Sequence, residues 1–226
     1  MNECTGNEFE RIYHTSQWQS RSRSGPGSLP ELNAPYLQAL DATLAEQNIK
    51  SVIDIGCGDW TLYQSAFDWH GKQISYIGID VVPELVDRLN RLYGRDNVEF
   101  RQLDVYSTEL PEADLYILKD VMQHWPNDRI AKFFPQLKRC RFALITNDVE
   151  AYSPRKRPFR KLLQHLPRSK TDISVGGYRP LRLREPPYNL TARVLCNFAM
   201  SWEGWLFVKE TLLYRNGPAA DTYSAK

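Results

Sequence analysis

Cysteine is scarce in this sequence, and long hydrophobic runs are missing. Only four of the 226 residues are cysteines, and they lie far apart at Cys4, Cys57, Cys140 and Cys196. Zinc ligands usually come in closely spaced pairs, and a chain of this length does not need disulfides to fold. No stretch approaches the roughly 20 apolar residues of a membrane span. We therefore expect reduced thiols, no zinc site and no membrane segment.

A secretory signal is also missing, because the first residues have neither a basic start nor an apolar run. This favours a cytoplasmic location. The net charge is only +2, no internal repeat is present, and the sequence leaves the oligomeric state open. The polar residues 1–30 predict an N-terminal arm or lid in loop form, and residues 31–226 predict one domain.

From residue 51 onward, short apolar runs alternate with helical patterns. Helices are predicted after a possible N-cap at Asn33, over 83–92 before Gly94, and over 127–140, where Pro135 should break the helix. Apolar strands that alternate with helices indicate a parallel sheet, and two final strands in succession indicate an antiparallel hairpin. The predicted fold is a Rossmann-like, doubly wound α/β fold with a mostly parallel seven-stranded sheet, an antiparallel C-terminal edge and helices on both faces. The predicted strands are 51–55, 74–79, 98–103, 113–118, 142–146, 192–199 and 205–214.

A glycine-rich loop follows the first predicted strand, at the sheet edge where open α/β folds bind ligands. Gly56 and Gly58 allow the backbone to approach a ligand closely. The third glycine of a dinucleotide motif is replaced by Thr61, and Asp54 just before the loop would repel a pyrophosphate. A ligand with a cationic group suits this loop better than a dinucleotide.

Two further acids end the second and third predicted strands. Asp80 lies 24 residues after Gly56, where a carboxylate can accept hydrogen bonds from two ribose hydroxyls. Asp104 can accept a hydrogen bond from an adenine amine. Three acids that follow three successive strands indicate a nucleoside site more strongly than a single glycine loop does.

The segment from about Val52 to Asp148 resembles the class I S-adenosylmethionine-dependent methyltransferases. The resemblance rests on Asp54-x-Gly56-x-Gly58, Gly78-Ile79-Asp80 and Leu103-Asp104-Val105, in order and spacing. It implies S-adenosylmethionine (SAM) as cofactor, with Asp54 orienting the methionine amino group, Asp80 holding the ribose and Asp104 the adenine. Further cofactor contacts are expected from Gly56, Gly58, Trp60, Val81, Val105 and Lys119.

The catalytic candidates come from the segment after the fourth predicted strand. His124 is the leading general base, because an unperturbed histidine pKa of about 6.5 suits proton removal near neutrality. Its alternative role is to shape the pocket. Asp120 is the second candidate, with cofactor contact or helix anchoring as alternatives. Asp120, Asn147 and Asp148 also resemble the magnesium ligands of catechol-type O-methyltransferases, but the rest of that pattern is missing, so no metal is predicted.

The acceptor side is expected in a long insertion at about residues 150–189. Tyr178 and Arg179 follow two glycines there and suggest a lid, with Arg179 available for a carboxylate or phosphate. From 151 to 184 a single acid, Asp172, accompanies ten basic residues. These are Arg155, Lys156, Arg157, Arg160, Lys161, Arg168, Lys170, Arg179, Arg182 and Arg184.

These features favour transfer of a methyl group to a small-molecule acceptor, such as a metabolite, sugar or natural product, on oxygen and with an acidic group near the lid. An RNA or protein methyltransferase, with the basic 155–184 segment binding its acceptor, is the alternative. A non-catalytic SAM-binding module is a third interpretation. It is less favoured because the cofactor residues and His124 converge on one sheet edge.

Overall fold

A seven-stranded sheet forms the centre of the protein. A computed structural model describes residues 5–15, 17–18, 20–152 and 171–217. The strands match the seven predicted segments closely at most of their ends. They are β1 (Ser51–Ile55), β2 (Ser75–Asp80), β3 (Val98–Gln102), β4 (Ala113–Lys119), β5 (Cys140–Tyr152), β6 (Arg193–Trp202) and β7 (Trp205–Arg215).

The strand order is β3-β2-β1-β4-β5-β7-β6. The first five strands are parallel, whereas β7 is antiparallel to both β5 and β6. The predicted Rossmann-like sheet with an antiparallel C-terminal edge is therefore confirmed. The order reverses between β1 and β4, and in open α/β sheets this reversal opens the crevice that binds ligands.

Strand β5 is much longer than predicted. The sequence indicated 142–146, because the polar residues Asn147 and Asp148 end the apolar run. The structure continues β5 to Tyr152, which pairs with Leu206 of β7. The side chains of Asn147 and Asp148 are both buried. Pairing with the distant strand β7 therefore continues β5 through two polar residues that, from the local sequence, were expected to end it.

Helices cover both faces of the sheet. One hydrophobic cluster joins α2 and α4 to β1 and β2, and the other joins α5 to β4 and β5. The break at Pro135 is confirmed, because α5 ends at Phe133 and a 3₁₀ turn follows over Phe134–Arg139. The helices are α1 (Thr5–Thr15), α2 (Ala34–Glu46), α3 (Thr61–Gln64), α4 (Pro83–Tyr93) and α5 (Asn127–Phe133).

Asn33 stands at the N-cap position of α2 but does not cap it with its side chain. Its Nδ2 donates hydrogen bonds to the carbonyl oxygens of Gly27 and Leu29, at 2.9 and 2.8 Å. The predicted capping bond was therefore wrong. The amide instead holds the preceding turn against the start of the helix.

The sequence indicated an arm or loop over the first 30 residues, and the helix within them was not predicted. Helix α1 occupies Thr5–Thr15, and Ile12 and Tyr13 on one side of it are buried. Phe9, Ile12 and Tyr13 follow the spacing of three and four residues that one helix face requires. This short apolar stripe packs α1 against the main domain.

Within the described ranges, none of the helices combines the length and hydrophobicity that a membrane crossing requires. Cys57, Cys140 and Cys196 are free thiols, and Cys4 lies outside the described residues. Seven of the ten basic residues of the 151–184 segment also lie outside them, between 153 and 170.

Candidate functional site

A pocket opens beyond the carboxyl ends of β1, β2 and β4. All the predicted cofactor and catalytic residues line it. They are Asp54, Gly56, Gly58, Trp60, Asp80, Val81, Asp104, Val105, Lys119, Asp120 and His124.

The glycine loop needs glycine at both positions. Gly56 and Gly58 have φ angles of 69° and 59°, in the left-handed region that side chains disfavour. A Cβ on Gly56 would lie 2.8 Å from Val121 Cγ2, and one on Gly58 would lie 2.3 Å from Ser24 Oγ. The loop is therefore tightly enclosed on both sides by the segment after β4 and by the N-terminal arm.

Asp80 is held in place by the backbone around it. Its Oδ2 accepts a hydrogen bond from the Gly58 amide and its Oδ1 accepts one from the Val82 amide, each at 3.1 Å. Burial nevertheless raises the pKa of Asp80. A carboxylate has about four lone-pair sites, so two amide bonds leave it capacity for a diol.

Asp54 lies deeper, on β1, and is buried. Its Oδ2 accepts a hydrogen bond from the Tyr76 hydroxyl at 2.7 Å, and that hydroxyl accepts one from Trp60 Nε1 at 3.0 Å. Burial raises the pKa of Asp54 to about 7, although the Tyr76 bond and the charge of Lys119 oppose this rise. A cation in the pocket would favour the ionised form.

The third predicted acid, Asp104, accepts a hydrogen bond from the Tyr106 amide at 3.0 Å. Val105 beside it is buried and contributes apolar surface. Tyr106 also lines the pocket, and the guanidinium carbon of Arg129 lies 4.6 Å from the centre of its ring.

His124 is fixed by the loop that contains Gly177. Its Nδ1 lies 2.8 Å from the Gly177 carbonyl oxygen, which can only accept, so Nδ1 carries the proton. Burial lowers the pKa of His124, although the Gly177 bond and nearby acids oppose this. The neutral ring therefore has its lone pair on Nε2, which is the form that a general base requires.

Asp120 lies in a buried cluster of charges. Its Oδ2 accepts a hydrogen bond from Lys119 Nζ at 2.6 Å, and its Oδ1 accepts one from Lys209 Nζ at 2.7 Å. Lys209 Nζ also donates to Asp148 Oδ1, at 2.8 Å. Desolvation alone would raise the pKa of Asp120, but the two lysines outweigh it and lower the pKa to about 2.

This cluster bears on the role of Asp120. A carboxylate that stays ionised and paired with two ammonium groups is a poor proton acceptor near neutrality, so this arrangement does not favour Asp120 as the base. The ammonium of Lys209 lies between Asp120 and Asp148. Sequence reasoning missed Lys209, although a lysine within the apolar β7 run was a signal.

The N-terminal arm forms one wall of the pocket, as the sequence suggested. Trp18, Ser24 and Ser28 line it, together with Phe9 and Tyr13 of α1, which were not predicted. The arm is tied to the glycine loop, because the Ser22 hydroxyl and the Arg23 amide donate to the carboxylate of Asp59. Lys119 Nζ also donates to the Gly27 carbonyl oxygen at 2.6 Å.

The two predicted acceptor residues are outside this pocket lining. The Tyr178 hydroxyl donates to Asp148 Oδ2 at 3.0 Å, and its ring lies 5.9 Å from that of His124. Arg179 is buried, and its guanidinium donates to the Trp125 carbonyl oxygen, Asn127 Oδ1 and the Tyr188 hydroxyl. The expectation that Arg179 is available to an acidic acceptor is corrected, because the chain's own oxygens occupy it.

Comparisons with known proteins show which proteins this chain resembles. A family model described as a methyltransferase domain matches residues 52–141, which contain the glycine loop, the three acids and His124. This part of the chain is therefore similar to methyltransferase domains. A search of curated protein sequences found no significant match.

Solved structures of several methyltransferases share the fold of this chain at low identity. Magnesium protoporphyrin IX methyltransferase from Synechocystis PCC 6803 is 14% identical with a TM-score of 0.51, covering 81% of this chain and 85% of its own. The 1,6-didemethyltoxoflavin-N1-methyltransferase of Burkholderia thailandensis is 12% identical with a TM-score of 0.55, covering 93% and 87%. The N-methyltransferase NodS of Bradyrhizobium japonicum WM9 is 10% identical with a TM-score of 0.53, covering 93% and 99%.

The buried charge cluster predicts a large loss of stability in Lys209→Met. Removing Lys209 leaves Asp148 without a cation and Asp120 with Lys119 alone, and breaking a buried pair costs about 3–5 kcal/mol. Urea unfolding measures the change. Lys132→Met is the control, because Lys132 and Asp128 form an exposed pair worth less than about 1 kcal/mol. Equal losses of stability in the two variants would contradict a structural role of the buried cluster.

The raised pKa of Asp54 predicts a pH-dependent stability of the ligand-free protein. In the folded state the Asp54 carboxyl group keeps its proton up to a pH of about 7, whereas in the unfolded chain it releases the proton near pH 4. Protonated Asp54 therefore contributes roughly 4 kcal/mol to the free energy of unfolding. This contribution is fully present below pH of about 4 and is lost as the pH rises through about 7.

Asp54→Asn is the comparison, because an amide cannot ionise. Urea unfolding between pH 4 and 8 should show the wild type losing stability relative to this variant as pH rises. A constant difference between the two proteins would contradict the assignment.

Proposed function

We propose that this protein is a SAM-dependent methyltransferase that acts on a small-molecule acceptor. The observation that carries the proposal is the ring of three carboxylates, Asp54, Asp80 and Asp104, around a glycine loop at the reversal point of the sheet. Asp54 lies within β1, Asp80 ends β2, and Asp104 follows the end of β3 by two residues. Their joint negative charge disfavours a pyrophosphate and suits a nucleoside that carries cationic groups.

The related structures support SAM as the cofactor. The magnesium protoporphyrin IX, toxoflavin and NodS methyltransferases were each crystallised with S-adenosylhomocysteine. The residues of this chain fit the same group, with Asp80 at the ribose, Asp104 at the adenine and Asp54 at the amino group.

SAM supplies a methyl group on a positively charged sulfur. The protein has to align an acceptor with that group and exclude water. We assign to His124 Nε2 the removal of the acceptor's proton, since Nδ1 is committed to Gly177. Asp120 positions Lys119 and Lys209 and remains ionised.

Two considerations favour a small acceptor over RNA or protein. The related structures are named for small acceptors, including a protoporphyrin and a toxoflavin precursor. The three described arginines of the basic segment are already engaged: Arg179 is buried, while Arg182 and Arg184 pair with Glu150 and Glu210. Oxygen as the methylated atom and a cytoplasmic location remain our proposals from the sequence.

The cofactor assignment predicts that Asp80→Ala weakens binding of S-adenosylhomocysteine by about 10- to 100-fold, because hydrogen bonds to a charged group contribute about 1.5–3 kcal/mol. Titration calorimetry measures this. Asp87→Ala on the exposed side of α4 is the control and should bind like the wild type. Unchanged affinity in Asp80→Ala would remove this residue from the site, and no binding to the wild type would overturn the proposal.

The catalytic assignment predicts that His124→Ala lowers kcat by about 100-fold or more, as expected for a general base. Affinity for S-adenosylhomocysteine should change by less than about threefold, because the ring is not assigned to the cofactor. Transfer of labelled methyl groups from SAM to size-fractionated lysate compounds provides the assay.

The exposed His14 supplies the control variant, His14→Ala, which should keep wild-type turnover. The lowered pKa of His124 also predicts that kcat stays at its plateau near pH 7 and falls only below about 6.5. A His124→Ala enzyme with wild-type kcat would exclude histidine as the base.

A further inference from the structure

The sheet extends on one side well past the pocket. Strand β4 ends at Lys119, which is paired with Thr146, but β5 continues for six more residues to Tyr152. Strand β7, which begins at Trp205, pairs with this part of β5 up to Tyr152. At about 3.3 Å per residue, this extension reaches about 20 Å beyond the end of β4.

One face of the β7 extension is aimed at the pocket side. Alternate residues of a strand share a face, so Trp205 and Phe207 lie on the same face as Lys209. Lys209 on that face contacts Asp120, which lines the pocket. The extension therefore forms a wall that runs outward from the catalytic end of the site.

Aromatic rings line this wall without a break. The ring centroids of Trp18 and His124 are 5.3 Å apart, those of His124 and Tyr178 5.9 Å, and those of Tyr178 and Phe207 6.3 Å. Trp205 then stacks on Phe207 at 6.1 Å, with an angle of 18° between the rings. We name these five residues the aromatic wall.

The outer part of the aromatic wall is exposed. Tyr178 and Trp205 each expose 41% of their surface, and with Leu92 they are the three large hydrophobic residues exposed in the described part of the chain. Two of these three residues, Tyr178 and Trp205, therefore belong to the aromatic wall that contains His124. Exposed aromatic surface that continues into a pocket indicates a place where a ligand binds.

We propose that the aromatic wall binds the acceptor, and that the acceptor is a planar aromatic compound. Flat rings stack on tryptophan, tyrosine and histidine rings over their whole face, which a saturated ring of the same size cannot do. His124 belongs to the inner part of the wall, so a ring seated on the wall brings its substituent to the proposed base. This inference rests on the proposed methyl transfer, because it places the acceptor of that reaction.

The test uses 2-naphthol as the probe and decahydro-2-naphthol as its saturated counterpart. Binding of each to the protein saturated with S-adenosylhomocysteine is measured by ligand-observed NMR, so that no turnover is required. We expect 2-naphthol to bind at least tenfold more tightly than the saturated compound. Trp205→Leu should weaken 2-naphthol binding by about tenfold, and Trp205→Phe should restore most of it.

Leu92→Ala is the matched control, because it removes an exposed apolar side chain on α4, away from the wall. Leu92→Ala should leave 2-naphthol binding unchanged. Leu92→Ala and Trp205→Leu should both bind S-adenosylhomocysteine like the wild type. Equal affinity for the two compounds, or full binding in Trp205→Leu, would overturn the inference.

Sedimentation of the wild type and Trp205→Leu adds a second outcome. A dimer that Trp205→Leu separates while 2-naphthol binding is unchanged would mean that the wall joins two copies of the chain, which also overturns the inference. Failure of S-adenosylhomocysteine to bind the wild type would instead overturn the proposed function. The two failures are thus distinguishable.

Discussion

The ammonium of Lys209 lies buried between the carboxylates of Asp120 and Asp148, 2.7 Å from one and 2.8 Å from the other. This single group joins three parts of the fold: the antiparallel strand β7, strand β5 and the segment after β4. Each buried charge needs its partners, since an ammonium or a carboxylate alone would be expensive in this interior. The position of the segment that carries the proposed base therefore depends on β7, the last of the described strands.

The buried charges around Lys209 are hydrogen-bonded to groups on both sides of the pocket. Lys119 connects them to the carbonyl of Gly27 in the N-terminal arm, and Asp148 connects them to the Tyr178 hydroxyl. Gly177, next to Tyr178, accepts the hydrogen bond that sets the tautomer of His124. One network of hydrogen bonds thus fixes the arm, the loop and the proposed base relative to one another.

The sheet could be predicted from the sequence because its strands are local apolar runs, and parallel strands buried on both faces have few polar interruptions. The pocket could be predicted for a similar reason, since Gly56, Asp80 and Asp104 each occupy the end of such a strand. Interactions between distant residues were harder to predict. Nothing near Arg179 in the sequence shows that Asn127 and Tyr188 occupy its guanidinium, and nothing near Asp120 shows that Lys209 neutralises it. Helix α1 was missed because its apolar stripe is short and lies within a polar segment.

The hydrogen bonds between the arm and Asp59 have a consequence for how the protein is prepared. Trp18, Ser24 and Ser28 belong to the pocket wall although they precede the sheet by more than 20 residues. A fragment trimmed to the matched region would keep the glycine loop and all three acids, yet one side of its ligand cavity would be open to water. Domain limits drawn from sequence similarity alone would therefore divide this binding site.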